Sequence, residues 1–238
     1  MQIRRNRGGY FTIYAEAGSG FPLVLLHGNG EDHTYFSGQM DEFAKSFHVI
    51  AIDTHGHGAS PRGKAPFSIA QFAQDLYEFL ILHDLKRIHL LGFSDGGNIA
   101  LQFALAHPEM VERLILNSAN LYPRGLSRRA LLGMRREYRA VQRCTAQNQE
   151  TTRKAELLCL MVEQPCLKMK MLHTLHVPTL VIAGTQDVIR HKHTQRIAKA
   201  LPSATLQFLP GDHMVAAKQP NAFHAAILSY LHQPQNTL

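Results

Sequence analysis

The chain has 238 residues, 45% of them hydrophobic and 18% charged, with a formal charge of +7. That balance belongs to a globular protein able to bury a sizeable core, and it excludes disordered, fibrous and collagen-like chains. No apolar run approaches the roughly 20 residues of a membrane-spanning helix. The opening MQIRRNRGGYFTIYAE lacks the apolar stretch of a secretory leader, so a cytoplasmic protein without stable membrane insertion is expected.

A short strand over 2–5 is expected to pair as a hairpin with 10–15 (YFTIYA). Strands then follow at 22–26 (PLVLL), 47–52 (FHVIAI), 87–91 (RIHLL), 112–117 (ERLILN), 178–183 (PTLVIA) and 204–209 (ATLQFL). Near-continuous Val/Ile/Leu runs are those of strands buried on both faces of a parallel sheet. Helices are expected between them, at 34–45, 68–84, 95–106, 190–200 and 220–232. In the second of these, Ser68 stands as N-cap, and Ile69, Phe72, Ala73, Leu76, Phe79 and Leu80 share one face. The fold class is therefore α/β: a mostly parallel, eight-stranded sheet flanked by helices, with one helical insert.

That insert, residues 121–172, breaks the rhythm. It lacks a β-branched run and offers two helix-favouring stretches, 127–143 and 149–162, the second ended by Pro165. Its eight Arg and three Lys face four Glu, so it holds the whole +7, and the rest of the chain is neutral. Residues 1–120 and 173–238 are read as the core, and 121–172 as a lid. The basic lid reads as a solvated face, as a funnel for anionic substrates, or as a contact for a partner, a second copy or an anionic membrane. Nucleic acid is not expected, because Tyr122 and Tyr138 are the segment's only aromatics and no recognised module is present.

Cys144, Cys159 and Cys166 match no paired metal-ligand spacing, and their odd number is a poor disulfide framework, so they read as reduced thiols. His55-x-His57 and His191-x-His193 have no nearby Cys or carboxylate set, and no metal site is expected.

The chemistry concentrates in Gly92-Phe93-Ser94-Asp95-Gly96-Gly97, a G-x-S-x-G that follows one expected strand and opens an expected helix. A nucleophilic serine on such a sharp turn needs Gly92 and Gly96, where a Cβ would collide with neighbouring elements. Serine also needs a base within hydrogen-bond reach. His213, in GDHMV, and Asp187, in AGTQD, each follow a strand, and the order Ser94, Asp187, His213 suits a nucleophile, an orienting acid and a base. After ERLILN come Asn117, Ser118, Ala119 and Asn120, without a carboxylate, so that position is no rival for the acid. The N–H groups of Asn29 and Asp95 are the expected oxyanion hole. His27 and Gly28 are expected to hold the first turn. Asp95 itself either contacts a substrate's cationic group or favours the helix dipole.

With HGNG after PLVLL, D-T-H-G-H-G-A-S at Asp53–Ser60, GFSDGG, AGTQD and GDH, the chain resembles the α/β-hydrolase superfamily along essentially its whole length. The elbow is similar to that of valacyclovir-hydrolase-like esterases. His55 departs from the Arg frequent in that loop, which leaves the loop's usual salt bridge open. The resemblance implies a serine hydrolase acting on a small-molecule ester or thioester, anionic ones among them, with no metal or organic cofactor. Other reactions of the same fold stand beside it: C–C bond hydrolysis, lipase or peptidase activity, a cofactor-free peroxidase, or a small-molecule receptor that retains the triad.

Overall fold

The computed structural model describes residues 2–5, 11–65, 67–144 and 148–234, with side chains from residue 12 onward. Strands β1 (Gln2–Arg5), β2 (Phe11–Ala17), β3 (Pro22–Leu26) and β4 (His48–Ile52) open the chain, with helix α1 (Ser37–Phe43) before β4. Helix α2 (Ile69–Leu82), β5 (Ile88–Phe93), helix α3 (Asp95–Ala106) and β6 (Val111–Asn117) follow. After the insertion, made of α4 (Arg128–Gln142) and α5 (Gln149–Glu163), come β7 (Thr179–Gly184), α6 (His191–Ala200), β8 (Ala204–Leu209), α7 (Val215–Lys218) and α8 (Pro220–Leu231).

The strands lie in the order β1-β2-β4-β3-β5-β6-β7-β8, with β1 and β2 antiparallel to their neighbours and every later pairing parallel. This is the expected mostly parallel sheet flanked by helices. The period-2 alternation of each strand divides its side chains between two cores. Val24, Leu26, Ile50 and Ile52 face a layer containing Phe72, Leu76, Ile99 and Ile197, from α2, α3 and α6. Leu23, Leu25, Val49 and Ala51 face Phe43, Val215, Phe223 and Ile227, from α1, α7 and α8. With helices on both faces, β5 and β6 are buried along their full length, and their centres, Leu90–Leu91 and Leu114–Leu116, are apolar runs, while the polar His89, Glu112, Arg113 and Asn117 stand toward their ends.

The differences from the expected elements have local causes. The helix expected over 34–45 is divided: Asp32 caps a 3-10 turn at His33–Phe36, and α1 starts afresh at Ser37. Strand β2 runs on to Ala17 because Glu16 and Ala17 pair with Ile50 and Val49; Tyr10, included in the expectation, lies outside the described residues. Strand β5 extends past Leu91, since Gly92 and Phe93 pair with Leu116 and Asn117. Ser68 caps α2 as expected, accepting the Gln71 N–H at 3.1 Å.

Sheet order also decides where a site can form. Strand β3 is flanked by β4 on one side and β5 on the other, so successive connections leave it in opposite directions. At the carboxyl ends of such strands a crevice opens. The insertion between β6 and β7 lies over this edge: Ser127 N–H donates to Val188 O at 2.8 Å, and Leu126 and Ile189 form an isolated bridge.

Candidate active site

Ser94 stands between β5 and α3 with φ +53°, a backbone region that side chains occupy only when the surroundings over-determine it. The surroundings here are specific. Ser94 N–H donates to Asn117 O at 2.8 Å, and Asn98 N–H donates to Ser94 O at 3.0 Å. A Cβ at Gly92 would fall on the Gly96 carbonyl, and one at Gly96 on the Leu26 carbonyl. The two glycines therefore let strand, turn and helix pass at backbone contact. Phe93 stacks on Tyr35, centroids 4.4 Å apart and rings within 4° of parallel, and also meets the His213 ring at 5.0 Å.

His213, in the loop after β8, joins two partners. Its Nε2 lies 3.0 Å from Ser94 Oγ, and its Nδ1 lies 2.8 Å from Asp187 Oδ1. An acceptor-only carboxylate fixes the ring's tautomer: Nδ1–H donates to Asp187, leaving Nε2 to accept from the serine hydroxyl. Asp187, after β7, has a fully buried side chain. Burial pushes its carboxyl up, but the His213 hydrogen bond and charge, the Ser118 hydroxyl and the Ile189 N–H outweigh this and hold it below the usual carboxylate range. Ile189 N–H reaches Oδ1 at 2.8 Å, and Ser118 Oγ–H reaches Oδ2 at 2.5 Å.

The turn after β3 supplies the opposite wall. Two hydrogen bonds hold His27: Nδ1–H donates to Gly28 O at 2.7 Å, and Nε2 accepts the Thr54 N–H at 3.1 Å. Burial lowers its pKa, in keeping with a neutral ring that both donates and accepts. Gly28 N–H donates to Glu31 Oε2 at 3.0 Å, and burial raises the Glu31 carboxyl. A Cβ at Gly28 would press on the Phe93 ring.

The Asn29 side chain ties two elements together. Its side-chain amide donates to Asp95 Oδ2 at 2.8 Å and to Leu157 O, on α5, at 3.0 Å. Asp95 Oδ1 accepts from Asn98 Nδ2 at 3.0 Å, and Asn98 in turn joins Asn120 through two bonds, at 3.2 and 2.8 Å. Burial raises the Asp95 carboxyl against the pull of the two amides. Its two oxygens are thus both engaged within the protein.

Ser94, His213, Asn29 and Asp95 open on one cavity of about 300 Å³. Its remaining wall is largely apolar, with Phe93, Leu126, Met134, Met161, Val188, Ile189 and Met214, and its polar members are Glu31, Asn120 and Gln164. No Lys or Arg stands among these lining residues.

Asp53–Ser60 lies beside the site as a brace. Asp53 accepts the His33 N–H at 2.7 Å and the Ala59 N–H at 3.0 Å. His55 Nδ1 meets the Asp75 carboxylate, which ties this loop to α2. Among the described residues, Asp32, His33 and Asp53 form the one group with three ligand-type atoms within 4.8 Å of one another. Both Asp53 oxygens already take backbone donors, and Asp32 caps the 3-10 turn, so this group fits a loop clasp rather than a metal centre. His193, of the second His-x-His pair, accepts the Leu121 N–H at 3.1 Å. Ser118, Glu31, Asn98, Asn120 and Leu157 are not among the residues expected from sequence; the N-S-A-N run after β6 holds no ionisable group that would mark it.

A family model described as alpha/beta hydrolase fold matches residues 22–153, more than half of the chain. An uncharacterized protein of Mycobacterium tuberculosis is 40% identical over 111 residues, which are 47% of this chain and 33% of that protein. The chain thus covers a third of the length of that relative. Among solved structures, a thermophilic esterase from Thermogutta terrifontis is 25% identical with a TM-score of 0.81, covering 97% of this chain and 98% of its own. An enol-lactonase from Burkholderia xenovorans is 23% identical with a TM-score of 0.80, covering 98% and 100%.

Proposed function

Because the chain belongs to the α/β-hydrolase fold family, we propose that it is a serine hydrolase cleaving a small carboxylic ester or thioester through an acyl-enzyme on Ser94. The observation that carries this reading is His213, hydrogen-bonded to Ser94 Oγ on one side and to the buried Asp187 on the other. In the mechanism, His213 Nε2 takes the hydroxyl proton as Oγ attacks the carbonyl carbon. The imidazolium that forms is stabilised by Asp187, which stays ionised. The N–H groups of Asn29 and Asp95 receive the oxyanion, the second backed by the positive end of α3. His213 then gives its proton to the leaving alkoxide or thiolate. Water, deprotonated by His213 in its turn, attacks the acyl carbon and frees the acid and Ser94.

Residues 121–172 act as a lid in this scheme: Leu126, Met134 and Met161 supply apolar wall, and Leu157 O receives the Asn29 amide. Substrate class follows from the wall. A cavity of about 300 Å³ is at the small end of ligand pockets and suits a short acyl group. Without a lining Lys or Arg, and with Glu31 and Asp95 on it, it favours an uncharged ester. The anionic ester considered from composition finds its cations on the outside of the lid and none at the acyl site.

p-Nitrophenyl esters of increasing acyl length, assayed beside Ser94→Ala, test the proposal. Turnover confined to the wild type, with an optimum at about two to six carbons for a pocket of this size, is the expected result. Equal turnover by Ser94→Ala would refute the nucleophile. Silence at every length, with a ligand that raises the Tm, would favour the receptor reading.

A further inference from the structure

The outer face of α4 is a stripe of arginines that the proposed chemistry does not use. Arg128, Leu132, Arg135, Arg136, Arg139 and Arg143 recur at spacings of three and four, so they share one side of the helix. All six are exposed, Leu132 to 55%. Residues Leu131 and Met134 on the opposite side turn inward, and Met134 reaches the cavity wall. Among the described residues none of these arginines is in an ion pair; the one acid of α4, Glu137, is bound to Lys154.

Such a face is unfavourable for the helix alone. Arg135–Arg139 and Arg139–Arg143 are like charges four apart, a spacing at which like charges destabilise an isolated helix. Arg128 and Arg129 stand in the first turn, at the positive end of the dipole. An anionic surface laid along the stripe turns all these repulsions into attraction.

We propose that the α4 face docks the protein on an anionic phospholipid bilayer. The stripe runs along one side of the helix for about 22 Å from Arg128 to Arg143, so its cations can meet a plane of phosphates together. Guanidinium groups bind phosphate oxygens in bidentate fashion. Leu132, the one apolar member of the stripe, suits the headgroup boundary, where an interfacial helix inserts its apolar side chain. Nucleic acid is the poorer fit, because no exposed aromatic on this face can stack on a base. The docked protein lies with its cavity one helix thickness from the lipid, suited to uncharged esters that partition into the membrane.

Co-sedimentation with vesicles tests the proposal by binding, independently of esterase activity. The expected result is binding to phosphatidylcholine vesicles containing phosphatidylglycerol and none to pure phosphatidylcholine. Each arginine near such a surface is worth about fivefold in partitioning, so Arg128→Gln, Arg135→Gln, Arg136→Gln and Arg139→Gln together lose on the order of several hundredfold. Hydrolysis of a water-soluble ester by this variant should be unchanged, which establishes that it folds. The four Lys counterparts should retain most of the binding. For the wild type, salt near 1 M, where the Debye length is about 3 Å, should release the protein. Absence of binding at low salt, equal binding to neutral vesicles, or undiminished binding by the folded Gln variant would overturn the proposal. So would duplex DNA that displaces the protein from vesicles at equal phosphate concentration.

Discussion

Replacing Ser118 by alanine removes the hydroxyl that donates to Asp187 Oδ2, while Oδ1 keeps both His213 and Ile189. Because the Asp187 side chain is fully buried, bulk water cannot serve the vacated oxygen. Hydrogen bonds to charged groups contribute about 1.5–3 kcal/mol, and the stability loss should fall in that range. The pH dependence has a definite sign. The folded carboxyl is held below its ordinary value, so it contributes stability that is present above the unfolded carboxylate range and lost as pH falls through the folded pKa. Without Ser118 the folded pKa rises, and acid unfolding moves to higher pH. Catalysis should suffer through orientation: about 1.4–2 kcal/mol of lost alignment is a kcat loss of roughly 10–30-fold. KM should hold, since Ser118 is not on the cavity wall. Ser118→Gly separates hydroxyl from backbone. Ser118 has φ +58°, so glycine relieves a left-handed residue worth about 1 kcal/mol. It should match alanine in kcat and exceed it in stability. Steady-state kinetics and acid titration of the fold, run on both variants, read these effects. Wild-type kcat with an unmoved acid transition in Ser118→Ala would refute the reasoning.

Asn29→Leu breaks the bonds to Asp95 and Leu157 and leaves a buried carboxylate oxygen unserved; urea titration should register a loss of about 1.5–3 kcal/mol, and an unchanged midpoint would count against the tie. An ester with a carboxylate in its acyl part should have a kcat/KM at least about tenfold below its neutral isostere, which corresponds to roughly 1.4 kcal/mol from the acids on the wall; equal values would remove the electrostatic argument. Buried His57, His89 and His193 have pKa values lowered by desolvation to about 3, 4 and 4. They stay neutral in the native state while their unfolded counterparts take protons below about pH 6.5, so each costs about 2 kcal/mol at about pH 5. Thermal melts should fall steeply between neutrality and that pH, and His89→Phe should flatten the slope.

The parallel strands were legible because burial on both faces gives each a short continuous apolar run, as LVLL in β3 and VIAI in β4 illustrate. Helices α2 and α3 were legible from a capped or glycine-marked start and a long apolar face. Less legible were the points where tertiary pairing overrode local pattern. Glycine at 92 reads as a strand end, yet β5 continues through it because Leu116 and Asn117 offer the next ladder positions. Nothing in residues 34–36 announces a 3-10 turn; it forms because the Asp32 carboxylate takes the Thr34 N–H.

At the site, Ser94, Asp187 and His213 could be named because each follows its own strand, and strand ends can be read from sequence. The supporting bonds could not, because they join ends that are neighbours only through sheet order. Asn117 pairs with Ile182, and that register alone brings Ser118, one residue on, beside the loop that carries Asp187. In the same way β3 lies next to β5, which brings the Asn29 amide to Asp95, 66 residues away. The residue types that make these bonds, a serine and an asparagine after a strand, are the commonest in loops, and no local spacing distinguishes them. Reading them requires the strand order first. Once β4-β3-β5-β6-β7 is known, every polar residue within three positions of a strand's carboxyl end becomes a candidate partner for its neighbour's, and Ser118 and Asn29 follow from the register.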